Sequence, residues 1–323
     1  MDAIGDWGFQ RKEQHMSIIS QNLINELELF WQYPVCTEKE FYRQNNQNDN
    51  YLGFPWATVL DKNIDLNSVY QVIKPLIDDK LKYYTCCQHI SFRKLQNLFQ
   101  ALNIDVLFTA HKCIKEDELE AIKLRPCPLY AVNLEDKNRN LEFLEKDFMS
   151  LDRDLLCSFI GAVQGNYLSD VRNRIFGLEQ THNIYIENTR DWHFNELVYT
   201  DLQNYTGTLN ESKLRKNNTE KYNKILLRSK YSLCPSGSGP NSIRFWESLG
   251  VGAIPVLLSD DLELPHNDIW QSSILRIKES DVEKVPNILR SITKGEEDSR
   301  RKQCLKIYEF YRNNYTNKGI NND

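Results

Sequence analysis

The chain has 323 residues, 41% of them hydrophobic, with 40 basic against 45 acidic side chains and a net charge of -5. That is enough length and apolar content for one large or two ordinary domains, and the mild acidity argues against the broad basic surface of a non-specific nucleic-acid binder. Collagen-like and low-complexity classes are excluded, whereas enzyme, binding module and scaffold all remain open.

Residues 1–15 mix Asp2, Asp6, Arg11, Lys12 and Glu13 with scattered apolar side chains, so no secretory signal is expected. The longest apolar stretches, such as 250–258, are about half the ~20 residues of a membrane span, and a soluble, cytoplasmic protein is expected. A helix is expected over 16–30, where Ile18, Ile19, Leu23, Ile24, Leu27 and Leu29 recur at three- and four-residue steps. Residues 57–60, 83–87 and 105–108 read as strands. Leu95, Leu98, Phe99 and Leu102 mark a helix over 92–102, which makes 83–108 a strand, helix, strand unit. Prolines interrupt regular structure near 125–128, and 133–153 is strongly charged. The connection between two domains, 1–150 and 151–323, is placed at 147–154.

Beyond it a strand over 155–160 closes on Gly161, followed by a helix over 170–178 and a strand over 184–186. Residues 201–222 are nearly devoid of aliphatic side chains and read as an exposed loop. Then come a helix (222–229), a strand (231–234), a helix (242–249), strands at 253–258 and 274–277, and helices over 282–292 and 296–311. Short apolar runs alternating with helical periodicity predict parallel strands joined by helices, in two Rossmann-like halves. No internal repeat is present. The eight cysteines form no C-x-x-C pair and read as reduced core thiols, and the sequons at Asn204, Asn210, Asn217 and Asn314 as by-products of an Asn-rich sequence.

The chemistry concentrates in residues 229–265, SKYSLCPSGSGPNSIRFWESLGVGAIPVLLSDDLELP. A strand runs into a small-residue loop, a helix start and a second strand. Ser236, Gly237, Ser238 and Gly239 let backbone N–H groups approach a ligand, and the helix start adds unpaired donors and partial positive charge, which is the composition of a phosphate site. Arg244 adds a fixed cation. Glu247, three residues on and on the same side, can accept from sugar hydroxyls, so a nucleotide diphosphate satisfies all three features. A competing reading takes Gly237 to Ser242 as a near match to G-x-G-x-x-G/A with Asp260 or Asp261 roughly 20 residues on, which would make an NAD-dependent oxidoreductase. Against it, Ser242 replaces the third glycine, Pro240 stiffens the turn, and only about 80 residues follow to complete a dinucleotide fold. A turn that merely joins strand to helix, or a non-catalytic glycan or nucleotide-binding module, are the other readings.

The same run resembles the exostosin-like glycosyltransferases of family 47. Ser229-Lys230-Tyr231, Leu233-Cys234-Pro235, Ser242, Arg244-Phe245-Trp246-Glu247, Gly252, Ile254-Pro255-Val256, Ser259-Asp260 and Leu264-Pro265 match that family in order. Upstream, Phe159 to Ala162 and Val171-Arg172-Asn173-Arg174 resemble its first strand and Arg-bearing helix, so the resemblance covers about 158–292. It implies a GT-B fold, two Rossmann-like domains facing a central cleft, in which the second domain binds a nucleotide sugar and the first a glycan or polysaccharide acceptor. It further implies an inverting, metal-independent transferase with a UDP-linked donor. Arg172, Arg174, Ser236, Gly237, Ser242, Arg244, Glu247 and Pro255, the last through its backbone, are then expected around the donor. Many relatives carry a Golgi membrane anchor, which is missing here, so a cytoplasmic bacterial or viral relative is implied. In the first half, residues 53–58 with Asp61, Cys87-Gln88-His89, and Phe108 with His111-Lys112 resemble bacterial polysaccharide-assembly relatives.

An inverting transferase needs a base opposite the leaving group. Asp61, His89 and His111 each follow an apolar, strand-like run, where cleft residues of open α/β sheets collect; Asp61 is the first candidate base and His89 the second catalytic candidate, with packing or hydrogen bonding the competing reading for both histidines. Asp191, Trp192, His193 and Glu196 form a second polar-aromatic cluster. Asp152-Arg153-Asp154 has the D-x-D spacing of a metal-diphosphate site, but it lies before a strand in a charged linker and is expected to be solvated.

Overall fold

The computed structural model describes residues 18–130, 132–135, 140–191, 198 and 213–313. Two sheets organise the chain. The first contains β1 (Tyr83–Cys87), β2 (Ile104–Thr109), β3 (Glu118–Leu119) and β4 (Ile122–Pro126) in the order β1-β2-β4-β3. Its β1, β2 and β4 are parallel and β3 is an antiparallel edge. The second contains β5 (Leu155–Gly161), β6 (Ile184–Asn188), β7 (Ser229–Pro235), β8 (Ile254–Leu258) and β9 (Leu275–Arg276) in the order β6-β5-β7-β8-β9, parallel throughout. Central β7 and β8 are buried nearly end to end, which is why they read as continuous apolar runs without alternation. The expected α/β class with parallel strands is what the chain forms.

The strand, helix, strand unit at 83–108 is present, its crossover built from a 3₁₀ turn, Phe92–Leu95, and helix Gln96–Ala101. Residues 57–60, by contrast, are helical, within Trp56–Asp61. Trp56, Ala57, Thr58 and Val59 are all buried, so the segment shows no period, and a short apolar run does not by itself separate strand from buried helix. Pro55 stands at its N-cap. The Trp56 indole donates to Thr85 Oγ1 (2.8 Å), which docks the helix against β1, and the Thr58 hydroxyl donates to the Phe30 carbonyl (2.6 Å), which ties it to the N-terminal segment.

Of the helix expected over 16–30, only Gln21–Glu26 is helical among the described residues; Ser20 caps its start, and Glu28 breaks it with φ 55°. Helices Thr37–Asn45 and Leu66–Ile73 were not expected, nor was β4, which ends on Pro126 where a missing N–H costs the ladder least. Part of the expected loop, 213–222, belongs to helix Lys213–Arg228, and 201–212 lie outside the described residues. The helix shows weak apolar periodicity because Thr219 and Asn223 share its buried face with Ile225 and Leu226. Asn223 is fully buried, accepting from Asn133 (2.9 Å) and donating to Glu142 (3.0 Å). At the C-terminal end, β9 keeps only Leu275–Arg276, and the segment at 282–292 divides into a 3₁₀ stretch, Glu279–Lys284, and helix Val285–Ser291.

Arg153 is a further correction. Asp152 and Asp154 are exposed, Asp154 pairing with Arg228, but the arginine between them is buried. Its guanidinium donates to the carbonyls of Leu226 (3.2 Å), Leu227 (2.9 Å), Ser229 (2.9 Å) and Val251 (2.6 Å). Helix-end carbonyls need donors, and a five-donor planar fork supplies several at once.

The two sheets are joined directly. Lys112 reaches both Asp117 and Glu263, while backbone bonds Ile114 N–H to Asp261 (2.8 Å) and Glu263 N–H to Lys112 (3.1 Å) stitch the segments together. Asn241 donates to the Ala110 carbonyl (2.7 Å).

Candidate functional site

A cavity of about 920 Å³ opens between the sheets. Its walls come from the C-terminal ends of parallel strands: His89 after β1, His111 after β2, Ile160 and Gly161 ending β5, Glu187 and Asn188 ending β6, and Gly237 after β7. Ligand sites of open α/β sheets gather at this edge because the backbone chain leaves the sheet there and crossover helices begin.

On the second-sheet side the wall is cationic. Arg244, near the start of helix Ile243–Val251, lies 4.5 Å over the Phe159 ring and 5.9 Å from the Tyr222 ring, and donates to the Ile160 carbonyl. Its Nε is buried with no partner. Arg172, in helix Val171–Phe176, donates to the carbonyls of Ser236 (2.8 Å) and Ala162 (3.1 Å) and stacks over Tyr167 (4.4 Å). Burial, then the neighbouring Arg244, lowers Arg172 to about 10, so it remains charged at neutral pH. Neither is ion-paired with a carboxylate among the described residues. Two adjacent guanidiniums anchored only by carbonyls, a phenol and rings leave uncompensated positive charge at a cavity wall, which is the electrostatic requirement of an anion site.

The glycine loop shapes the same corner. A Cβ on Gly237 would sit 2.8 Å from the Arg172 guanidinium, and one on Gly239 would sit 2.7 Å from His111 Nδ1 and 2.8 Å from Ile90. The loop therefore has to be free of side chains where it meets the arginine on one flank and the first sheet on the other. Ser242 caps the following helix in extended conformation, its N–H held by the Asn241 side chain (2.9 Å). Glu247 is buried at the cavity wall and accepts from the Tyr222 phenol (2.5 Å).

Three expected donor-site residues stand elsewhere. Arg174 pairs with Glu283 and donates to the carbonyls of Glu279 and Ser280 (2.8 Å each), outside the cavity. Two residues along a helix is roughly 200° around it, so Arg172 and Arg174 do not share a face. Ser236 supports rather than lines the wall: its carbonyl holds Arg172, and its hydroxyl donates to Glu279 (2.6 Å). Pro255 is inside β8, away from the cavity lining. Neither acidic residue of the dinucleotide reading lines the cavity, and the Asp260 side chain accepts from the Glu279 N–H (3.1 Å).

The first-sheet side carries the titratable groups. Asp61, at the end of helix Trp56–Asp61, accepts from His89 Nε2 through Oδ1 (3.0 Å). The Ser91 N–H donates to His89 Nδ1 (2.9 Å), which assigns the ring proton of neutral His89 to Nε2. The second carboxylate oxygen, Asp61 Oδ2, is buried with no partner. His111 is buried against Gly239 with an unpartnered Nδ1, and burial, helped by His89 and Arg93, lowers it to about 3, so it is neutral. Asp191 lines the cavity; Trp192, His193 and Glu196 lie outside the described residues. Tyr222, Tyr167 and the segment Gln32, Pro34 and Val35 also line it, and sequence reasoning missed them. Only the single aromatic side chain of helix Lys213–Arg228 gave a signal for Tyr222.

No described helix is long and apolar enough to cross a membrane. All eight cysteines are free and all but Cys113 are buried. The Exostosin GT47 domain model matches residues 99–292, beginning in the helix before β2 rather than at 158. The chain is similar to Exostosin-1c of Danio rerio, 24% identical over 268 residues, covering 77% of this chain and 35% of that protein. An Exostosin-1 homolog of Caenorhabditis elegans is 30% identical over 92 residues, 28% of this chain and 24% of that protein. A probable glucuronosyltransferase of Oryza sativa subsp. japonica is 32% identical over 98 residues, 30% and 23% of the two chains. The matched regions thus span about a quarter to a third of these relatives' lengths.

Proposed function

The chain belongs to the exostosin-like glycosyltransferase family, and from that premise we propose that it moves a sugar from a UDP-linked donor to a hydroxyl of a glycan acceptor, with inversion and without a metal ion. In this reading the protein is a GT-B enzyme divided near residue 150, the cavity between its sheets is the catalytic cleft, and the second sheet carries the donor. The observation that carries the proposal is the pairing of two carbonyl-anchored guanidiniums on one wall with a carboxylate bearing a free oxygen on the other.

The diphosphate rests against Arg172, Arg244 and the loop at 236–239, while Glu247, oriented by Tyr222, accepts from hydroxyls of the ribose or the donor sugar. Asp61 Oδ2 takes the proton of the acceptor hydroxyl as that oxygen forms its bond to the anomeric carbon. The bond from that carbon to the diphosphate oxygen breaks in the same displacement, and its electron pair leaves on the diphosphate. The guanidiniums stabilise the charge that develops there, and a base on the wall opposite the leaving group gives inversion. His89 holds Oδ1 and keeps Oδ2 aimed.

Thermal-shift measurement with UDP, GDP and NADH tests the donor class, followed by transfer assays that include UDP-glucuronic acid, which the rice relative's name brings into the panel. Stabilisation by UDP is expected. Stabilisation by NADH alone refutes the proposal, and UDP binding without transfer or hydrolysis on any acceptor favours a binding module.

A further inference from the structure

Glu38 lies in the first turn of helix Thr37–Asn45, is 1% exposed and does not line the cavity. Its carboxylate accepts from the Ala57 N–H through both oxygens (3.1 and 3.3 Å) and from the Gln88 N–H (3.0 Å). Ala57 is in the first turn of the helix that ends in Asp61, and Gln88 is the residue before His89. The Glu38 N–H donates in turn to the Gln88 side chain (3.0 Å), whose amide donates to the carbonyls of Val35 (3.0 Å) and Gln32 (3.5 Å) on the cavity wall. The Glu38 carboxyl thus ties together the chain segments that carry both members of the Asp61–His89 pair, and the Gln88 amide adds the adjoining wall.

We infer that Glu38 is a positioning residue, a buried clasp whose backbone hydrogen bonds set the distance and orientation of Asp61 to His89. This rests on the reading of Asp61 as base. Maintaining such a group is expensive, since burial pushes its carboxyl up to about 8 against the opposing bonds from Gln88 and Ala57. A carboxyl wanted only to cap a helix sits at lower cost at the surface. A base displaced by an ångström can lose on the order of 100-fold in rate without any change in the distant donor contacts.

The test is Glu38→Gln in the full chain, with three readouts: the His89 ring nitrogens by NMR, UDP affinity, and kcat with the active donor. Glutamine keeps one acceptor oxygen but turns an NH2 toward a backbone N–H. We expect the His89 Nε2–H signal to move or broaden, UDP affinity to stay within about twofold because Arg172 and Arg244 are untouched, and kcat to fall on the order of 10- to 100-fold. A folded variant with an unchanged His89 signal and unchanged kcat overturns the inference. So does a loss of UDP affinity in step with kcat, which marks a merely structural residue. If Glu38→Gln does not fold, Glu38→Asp, which keeps the carboxyl group but shortens the reach by one methylene, is measured in its place. The NMR readout requires no substrate, so it decides on Glu38 even if no transfer is found and the sugar-transfer reading falls.

Discussion

The second-sheet wall meets the cavity with Arg172 and Arg244, permanently charged groups held by backbone carbonyls and aromatic rings. The first-sheet wall meets it with Asp61, His89 and His111, groups whose chemistry depends on a proton, two of them with a buried atom left unpartnered. The difference teaches a division of labour. A diphosphate keeps its negative charge across the physiological range and is matched by cations that never titrate, whereas deprotonating a hydroxyl needs a group that does. Binding and turnover should therefore separate by wall.

Asp61→Asn gives the sharpest separation: kcat should drop by about 10²- to 10⁴-fold, the usual contribution of a general base, with UDP affinity by calorimetry unchanged. A fully active variant would remove Asp61 from the chemistry. The pH profile of stability comes next. His111 stays neutral in the folded protein down to about 3, while its unfolded counterpart protonates near 6.5. The unfolded state therefore binds the extra proton between those values, and stability should fall by a few kcal/mol as pH drops from 6.5 toward 3. Thermal melts of His111→Asn should show a flatter acid limb than the parent. On the opposite wall, Arg244→Ala should weaken UDP binding by about 1.5 to 3 kcal/mol, the range for a charge-assisted hydrogen bond, at every pH tested. A pH-dependent loss would blur the contrast between the walls. Smallest, Tyr222→Phe removes the hydrogen bond to Glu247 and should cost about 0.5 to 1.5 kcal/mol in affinity for the intact UDP-sugar, measured against UDP alone to show which part of the donor Glu247 contacts.

The donor-side wall was far more legible than the acceptor-side wall. Local features are readable when neighbours in sequence are neighbours in space, and β7, its glycine loop and helix Ile243–Val251 meet that condition within one continuous run. Arg172 and Arg174 show the limit: the helix phase, set by packing against β5 and the stretch Glu279–Lys284, turned one inward and the other toward Glu283. The first-sheet wall assembles Gln32, Val35, Asp61 and His89 from separate segments, and its Trp56–Asp61 helix is buried on every side and so shows no period. Glu38 reads as an ordinary acidic residue in a first helical turn, since nothing local marks a carboxylate whose partners are at 57 and 88.

Composition, strand-like apolar runs and the ordered matches at 229–265 determined the α/β class, the parallel sheets and the family by themselves, because each depends on spacing along the chain. Tertiary structure alone decided that Asp61 meets His89, that Gly239 lies against His111, that Arg153 is a buried hub, and that Tyr222 reaches Glu247. Those contacts join residues 25 or more positions apart, so they exist only once distant segments pack together, and Gly239 against His111 needs the two sheets to close on one cavity as well.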